Sequence, residues 1–177
     1  GDVVVPVLDS GKHAAWGLSE LMGVPYREHF LRVHNPPRIN LRSFTSATDE
    51  ERVKTAYQKL HLRKEAVEGK NIITVDDSIV RSTTISIINQ RLRDAGAKKI
   101  TNCISSPPIV DICPYGMDFL DTQQLVAYHN SIDEIKEKIG SDELIYLSHN
   151  GLKDVVERTY DRGVCMGCFG ERYPLKD

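Results

Sequence analysis

"ITVDDSIVRSTT", residues 73–84, is the stretch on which the reading of this chain turns. An apolar run, Ile72 to Val75, ends on Asp76 and Asp77, and a stretch with four hydroxyls, Ser78, Ser82, Thr83 and Thr84, follows. Ile85, Ile88, Leu92 and Ala95 then recur at helical spacing until Gly96. The pattern predicts a buried strand, a polar loop and an amphipathic helix. In an open parallel sheet such a loop lies outside the carboxyl end of its strand, where ligands bind. Carboxylates placed there suit sugar hydroxyls and a hydrated magnesium ion, which prefers oxygen ligands. The unpaired N–H groups of a helix start suit a phosphate. One segment can thus hold a sugar and a phosphate together. A lone pair of aspartates is more often a cap or a turn. The complete strand–loop–helix order carries the reading.

Working outward, Val3 to Val7 reads as a parallel strand despite Pro6, and Asp9-Ser10-Gly11 as a turn. Ala14, Leu18 and Leu21 follow at helical spacing, and Gly23 stops that helix. Residues 26–33, "YREHFLRV", read as a second strand. Asn35 to Glu51 is polar and contains Pro36 and Pro37, so it reads as a long loop of the kind that forms functional lids. Glu51 to Val67 is expected to be helical, and "KKITNCISS", residues 98–106, supplies a further strand. This alternation predicts an α/β fold with a doubly wound, mostly parallel sheet. The last third differs. Ser131 and Glu134 form a capping box for a helix through Ile139, and a second helix covers Leu152 to Tyr160. A glycine-rich tail, "RGVCMGCFGERYP", closes the chain at 162–174. The expected division is a core at 1–128, lacking its first elements, and a helical C-terminal extension at 129–177 that carries the cysteine-containing tail. "GDVVVPV" starts on a core strand with no run-in, which fits a fragment whose earlier part is lost.

A length of 177 residues suits one domain with a sizeable core. Apolar content of 40% and charged content of 27% are those of a soluble globule. A formal charge of -2 gives no broad electrostatic footprint for nucleic acid, while leaving room for a local phosphate site. No apolar run approaches membrane-spanning length and no basic-then-hydrophobic leader is present, so no membrane partner is expected and the location is read as cytoplasmic. The four cysteines, Cys103, Cys113, Cys165 and Cys168, then read as metal or buried-thiol chemistry in a reducing compartment. Cys165 and Cys168 form a C-x-x-C pair, for which a redox couple, half a zinc site and part of an iron–sulfur site all remain open. The six histidines are scattered and form no ligand cluster in the sequence.

"VDDSIVRSTT", residues 75–84, resembles the phosphoribosyl pyrophosphate (PRPP) motif of type I phosphoribosyltransferases, and more narrowly that of the amidophosphoribosyltransferase family, which writes it VDDSIVRGTT. "VVVPVLDSG", "AVEGK", "LRDAGAKKI", "ISSPPI", "YGMD", "IGSDELIYLS" and "CMGCFGERYP" agree with that family, so the resemblance spans nearly the whole chain and matches the later part of the family's sequence. It implies replacement of the pyrophosphate of PRPP by ammonia from glutamine, giving 5-phosphoribosylamine in purine biosynthesis. Asp76 and Asp77 would meet the ribose hydroxyls and magnesium, and Ser78, Ile79, Val80, Arg81, Ser82, Thr83 and Thr84 would cradle the 5-phosphate. Asp9, Ser10 and Gly11 would form the pyrophosphate loop, with Ser10 a third magnesium ligand. Arg38 and Arg42, in the long loop, would be the catalytic pair that stabilises the departing pyrophosphate.

The resemblance further implies that Cys113, Cys165 and Cys168 are three ligands of a [4Fe–4S] cluster whose fourth ligand precedes this segment. Purine nucleotides, a glutaminase domain or partner chain, and a homo-oligomer are the implied partners. Several positions depart from the family's pattern. Ser82 stands at a glycine position, where a positive φ would strain serine. Leu8 replaces a proline, and Pro36, Ile39 and Leu41 replace a lysine, a tyrosine and a glycine of the loop, stiffening a segment that must close. Two alternatives stand beside this reading: a non-catalytic PRPP- or nucleotide-binding module, and a zinc-binding structural protein.

Overall fold

The computed structural model describes residues 1–32, 60–115, 121–161 and 163–174. Its sheet contains β1 (Val3–Pro6), β4 (Asn71–Asp76), β5 (Lys99–Ile104) and β6 (Glu143–Tyr146), in the order β1-β4-β5-β6 with every pairing parallel. β2 (Phe30–Arg32) and β3 (Leu60–Leu62) form a separate antiparallel pair. The helices among the described residues are α1 (Lys12–Met22), α2 (Thr83–Asp94), α3 (Val126–His129), α4 (Ile132–Lys138) and α5 (His149–Tyr160).

Alternating side chains along a strand go to opposite faces, and here both faces of the central strands are covered. Val3, Val5, Ile72, Ile100 and Ile104 pack in one cluster with Ile85, Ile88 and Leu92 of α2. Val4, Ile73 and Val75 pack in another with Ala15 of α1. Helices on both faces make the sheet doubly wound, as the alternation of the sequence predicts. Pro6 is tolerated in β1 because of its parity. Val4 N donates away from β4, to Pro25 O (2.9 Å), so the missing N–H of Pro6, two residues on, removes no bond to β4.

The helix boundaries obey local chemistry. Gly23 and Gly96 take φ +63° and +84° at the ends of α1 and α2. The capping box of α4 is complete: Glu134 N donates to Ser131 Oγ (3.3 Å) and Ser131 N donates to Glu134 Oε2 (2.7 Å).

Two expectations are corrected. Leu60–Leu62 is a strand paired with Phe30–Arg32, where the sequence pattern predicts a helix over Glu51 to Val67; of the remainder, Lys64–Ala66 is one 3₁₀ turn and residues 51–59 lie outside the described ones. Pairing with β2, whose Phe30 is wholly buried, overrides the local preference. β6 is a strand that the sequence reading does not contain, and it brings residues 143–146 of the C-terminal third into the sheet. The long loop at 35–51 lies outside the described residues. No helix among the described residues is long and apolar enough to cross a membrane.

Candidate functional site

Parallel pairing brings the ends of β1, β4 and β5 to one edge of the sheet, and the loops that leave them meet there. The first loop runs through Asp9, Ser10 and Gly11 into α1. Gly11 N donates back to Val7 O (2.9 Å), and Val7 N donates to Val75 O (2.8 Å), which fastens the loop to β4. Gly11 is buried, and a Cβ there would stand 2.1 Å from Val75 O. Only glycine lets the two backbones approach so closely. Asp9 and Ser10 are exposed, and the Ser10 hydroxyl donates to Asp76 Oδ1 (3.3 Å). The two sequence-predicted segments therefore touch through side chains 66 residues apart.

Asp76 ends β4 nearly buried, and Asp77 beside it is exposed. Asp77 N donates to Asp76 Oδ1 (2.9 Å), and Ser78 N to Asp77 Oδ1 (2.8 Å). Burial, reinforced by the neighbouring Asp77 carboxylate, pushes the Asp76 carboxyl up to about 7, against the pull of the Asp77 N–H and the Ser10 hydroxyl. A site with this acid can exchange a proton near neutrality when a cation or sugar hydroxyls arrive. Ser105, at the end of β5, donates its N–H (2.9 Å) and its hydroxyl (3.3 Å) to Asp76 O. It is a positioning residue missed in the sequence, where "SSPP" after an apolar run was its only signal.

The loop from Ser78 to Ser82 is anchored by Ile79, which is 3% exposed within the main core, and by Val80, whose carbonyl accepts from Val126 N (2.7 Å). Arg81 reaches across to Gln124 Oε1. Ser82 precedes α2 with φ +60°, in the left-handed region, and its carbonyl accepts from both Ser86 N (2.9 Å) and Ser86 Oγ (2.8 Å). Thr83 N bonds Arg81 O (2.7 Å), while Thr84 is exposed at the mouth of the helix. All of the expected residues from Asp9 to Gly11 and from Asp76 to Thr84 thus lie along two adjoining loops. Arg38 and Arg42 lie outside the described residues.

Ser10, Asp76 and Asp77 form an oxygen-only donor set, of the kind a hydrated magnesium ion takes with one or two carboxylates. The cysteines give a different result. The tail docks on residues 110–113: Val110 N and Asp111 N donate to Cys168 O (2.9 and 3.1 Å), and Tyr173 Oη donates to Ile112 O (2.6 Å). Gly167 lies so close under Tyr173 that a Cβ would meet its ring at 2.2 Å. Burial, then the proximity of Cys113, raises the Cys168 thiol, and Cys165 opposes its ionisation further. The three thiols share a neighbourhood, yet all four cysteines are free, and among the described residues no group of three His, Cys, Asp or Glu side chains is arranged to hold a metal. A [4Fe–4S] cluster takes four thiolates. Among the described residues neither the cluster that the resemblance implies nor the zinc site of the alternative reading is seen. Cys103 lies on β5, raised by burial and then by Glu143, away from this group in the sheet.

A parallel sheet with helices on both faces, and paired acids leading into a hydroxyl-rich helix start, defines the type I phosphoribosyltransferase fold. No family model matches the chain. Curated relatives do: the amidophosphoribosyltransferase of Synechococcus elongatus is 40% identical over 174 residues, 98% of this chain and 34% of its own. That of Bacillus subtilis is 40% identical over 178 residues, 99% of this chain and 37% of its own. The solved glutamine PRPP amidotransferase from B. subtilis, described as complexed with ADP and GMP, superposes with a TM-score of 0.81 at 39% identity, covering 98% of this chain and 38% of that one. A second solved structure, described as the allosteric regulatory enzyme of purine biosynthesis, gives the same TM-score at 40% identity. The chain is a homologue of the amidophosphoribosyltransferases over nearly all its length, and corresponds to their C-terminal transferase part. It spans only 34% and 37% of the two curated relatives.

Proposed function

We propose that this chain binds PRPP at the two adjoining loops and carries the phosphoribosyl half of an amidophosphoribosyltransferase reaction. The observation that supports it most is the Ser10–Asp76 hydrogen bond, which joins the loop expected to hold pyrophosphate to the acids expected to hold ribose. The loop at 78–84 would take the 5-phosphate through backbone N–H groups and hydroxyls. Asp76 and Asp77 would accept from the ribose hydroxyls. Ser10, Asp76 and Asp77 would hold magnesium, which when bound neutralises charge on pyrophosphate.

In the reaction, the lone pair of ammonia forms a bond to C1 of the sugar while the C1–O bond to pyrophosphate breaks. The bonding electrons leave with pyrophosphate, and the attached nitrogen gives a proton to solvent, leaving 5-phosphoribosylamine. Loop N–H donors, with Arg38 and Arg42 contributed by the long loop, stabilise the charge that builds on the leaving group. The ammonia would come from a glutaminase domain or partner chain. Purine nucleotides carry the same 5-phosphate on ribose, so the same loop would accept them.

A second reading, a PRPP-binding module without turnover, draws on Ser82, whose side chain stands in the left-handed turn of the phosphate loop. Titration with PRPP and magnesium, followed by an assay of pyrophosphate release in ammonia, separates the two. Binding with ammonia-dependent release supports transfer; binding without release supports the module; no binding contradicts both.

A further inference from the structure

Lys12 is the first residue of α1 and directly follows the Asp9-Ser10-Gly11 loop. Its ammonium stands between two carboxylates, 3.6 Å from Asp9 Oδ1 and 3.3 Å from Glu28 Oε2. Neither is a tight pair. Arg93–Asp142, Lys99–Glu143, Lys136–Asp133 and Lys153–Glu171 close to 2.5, 2.8, 2.7 and 2.6 Å. Charge-assisted contacts of this kind normally reach about 2.7–2.9 Å.

The placement also runs against local preference. A cation in the first turn of a helix opposes its dipole, and the first turn of α1 holds no acid to offset it. A residue that breaks a local rule beside a ligand loop is a candidate for function. Glu28, for its part, does not depend on Lys12 for a partner, because Tyr26 Oη donates to Glu28 Oε1 (2.9 Å). The lysine can leave without stranding that carboxylate.

We propose that Lys12 is a pyrophosphate-binding residue, held loosely by Asp9 and Glu28 in the free chain and transferred to the diphosphate of PRPP when the loop is occupied. The inference rests on the PRPP reading above. The four-carbon stem of lysine swings a compact charge through several ångströms, which suits a leaving group whose charge grows as the C1–O bond breaks. Glu28 competes for that charge, so it sets how readily the lysine is released.

Calorimetric titration of the 177-residue chain with PRPP, inorganic pyrophosphate and ribose 5-phosphate, each with magnesium, tests this. Lys12→Met should weaken PRPP and pyrophosphate by about tenfold, the worth of one charged hydrogen bond, and leave ribose 5-phosphate within about twofold. Lys12→Arg should restore most of the loss. Glu28→Gln should tighten PRPP by about twofold to threefold, since a competing carboxylate is gone. Pyrophosphate affinity unchanged in Lys12→Met, equal loss of all three ligands, or parallel weakening by Lys12→Met and Glu28→Gln would each overturn the assignment. Failure of the unaltered chain to bind PRPP would instead overturn the functional reading on which it stands.

Discussion

Ser82 shows how one side chain marks a strained loop. Its φ of +60° brings a Cβ close to backbone, a conformation that costs a non-glycine residue roughly 1 kcal/mol. The sequence raised this conflict, since the family resemblance places glycine at that position. Ser82→Gly should raise stability by about 0.5–1 kcal/mol, read as a higher urea midpoint at unchanged slope. A lower midpoint would mean that the serine side chain supplies more than its strain removes. His29 makes a second residue-scale case. It is 8% exposed, its Nε2 has no hydrogen-bond partner among the described residues, and burial, with the charges of Lys70, Arg27 and Arg63, lowers its pKa from 6.5. A histidine whose pKa is lower folded than unfolded adds stability that is present above the unfolded value and lost as pH falls through it. Asp76, raised to about 7, gains stability over the same range, so the His29 contribution is read as a difference: on acidification from pH about 7.5 to about 5.5, His29→Leu should gain melting temperature relative to the unaltered chain. A difference that does not change with pH would place the acid sensitivity elsewhere. The lone Nε2 was invisible in the sequence, because burial beside β2 depends on which part of the chain covers it.

At the scale of elements, legibility followed the length and strength of the hydrophobic pattern. The run into Asp76, the α2 stripe, the Gly96 stop and the Ser131 capping box are local signals, and each appears where local chemistry puts it. β3 is only three residues long and owes its form to β2, a partner some thirty residues earlier. β6 is four residues, half of them exposed, so it lacks the apolar run by which β4 declares itself. Its place is secured by contacts the sequence does not advertise, among them Asp142, which accepts from Ile100 N (2.6 Å) and pairs with Arg93 (2.5 Å). A buried polar network does the same between layers. Asn89 of α2 donates to Asn102 Oδ1 (2.8 Å) on β5 and to Ile139 O (2.8 Å) after α4, and Asn102 in turn donates to Thr74 on β4. Asn89→Ala should cost about 2–3 kcal/mol in urea unfolding, because it leaves both acceptors buried and unpaired. A loss under about 0.5 kcal/mol would show that water or a rearranged Asn102 satisfies them.

For the molecule as a whole, parallel topology converts separate sequence motifs into one site. Asp9-Ser10-Gly11 and Asp76 to Thr84 were each legible as loops, but their contact was not, since the Ser10–Asp76 bond follows from register across β1 and β4. Ser105 joins them for the same reason: it sits at the end of β5, which the sheet places beside Asp76. The cysteine tail follows the same rule: its docking on residues 110–113 comes from backbone contacts such as Val110 N to Cys168 O (2.9 Å), not from the C-x-x-C spacing. The central claim is that the two joined loops clasp a phosphorylated ribose. A crystal structure of the chain with PRPP and magnesium tests it most directly. The account predicts the 5-phosphate against the 78–84 backbone, the ribose hydroxyls on Asp76 and Asp77, and the diphosphate over Ser10 and Gly11. PRPP bound elsewhere, or Asp77 turned away from the sugar with the ligand in place, would contradict it.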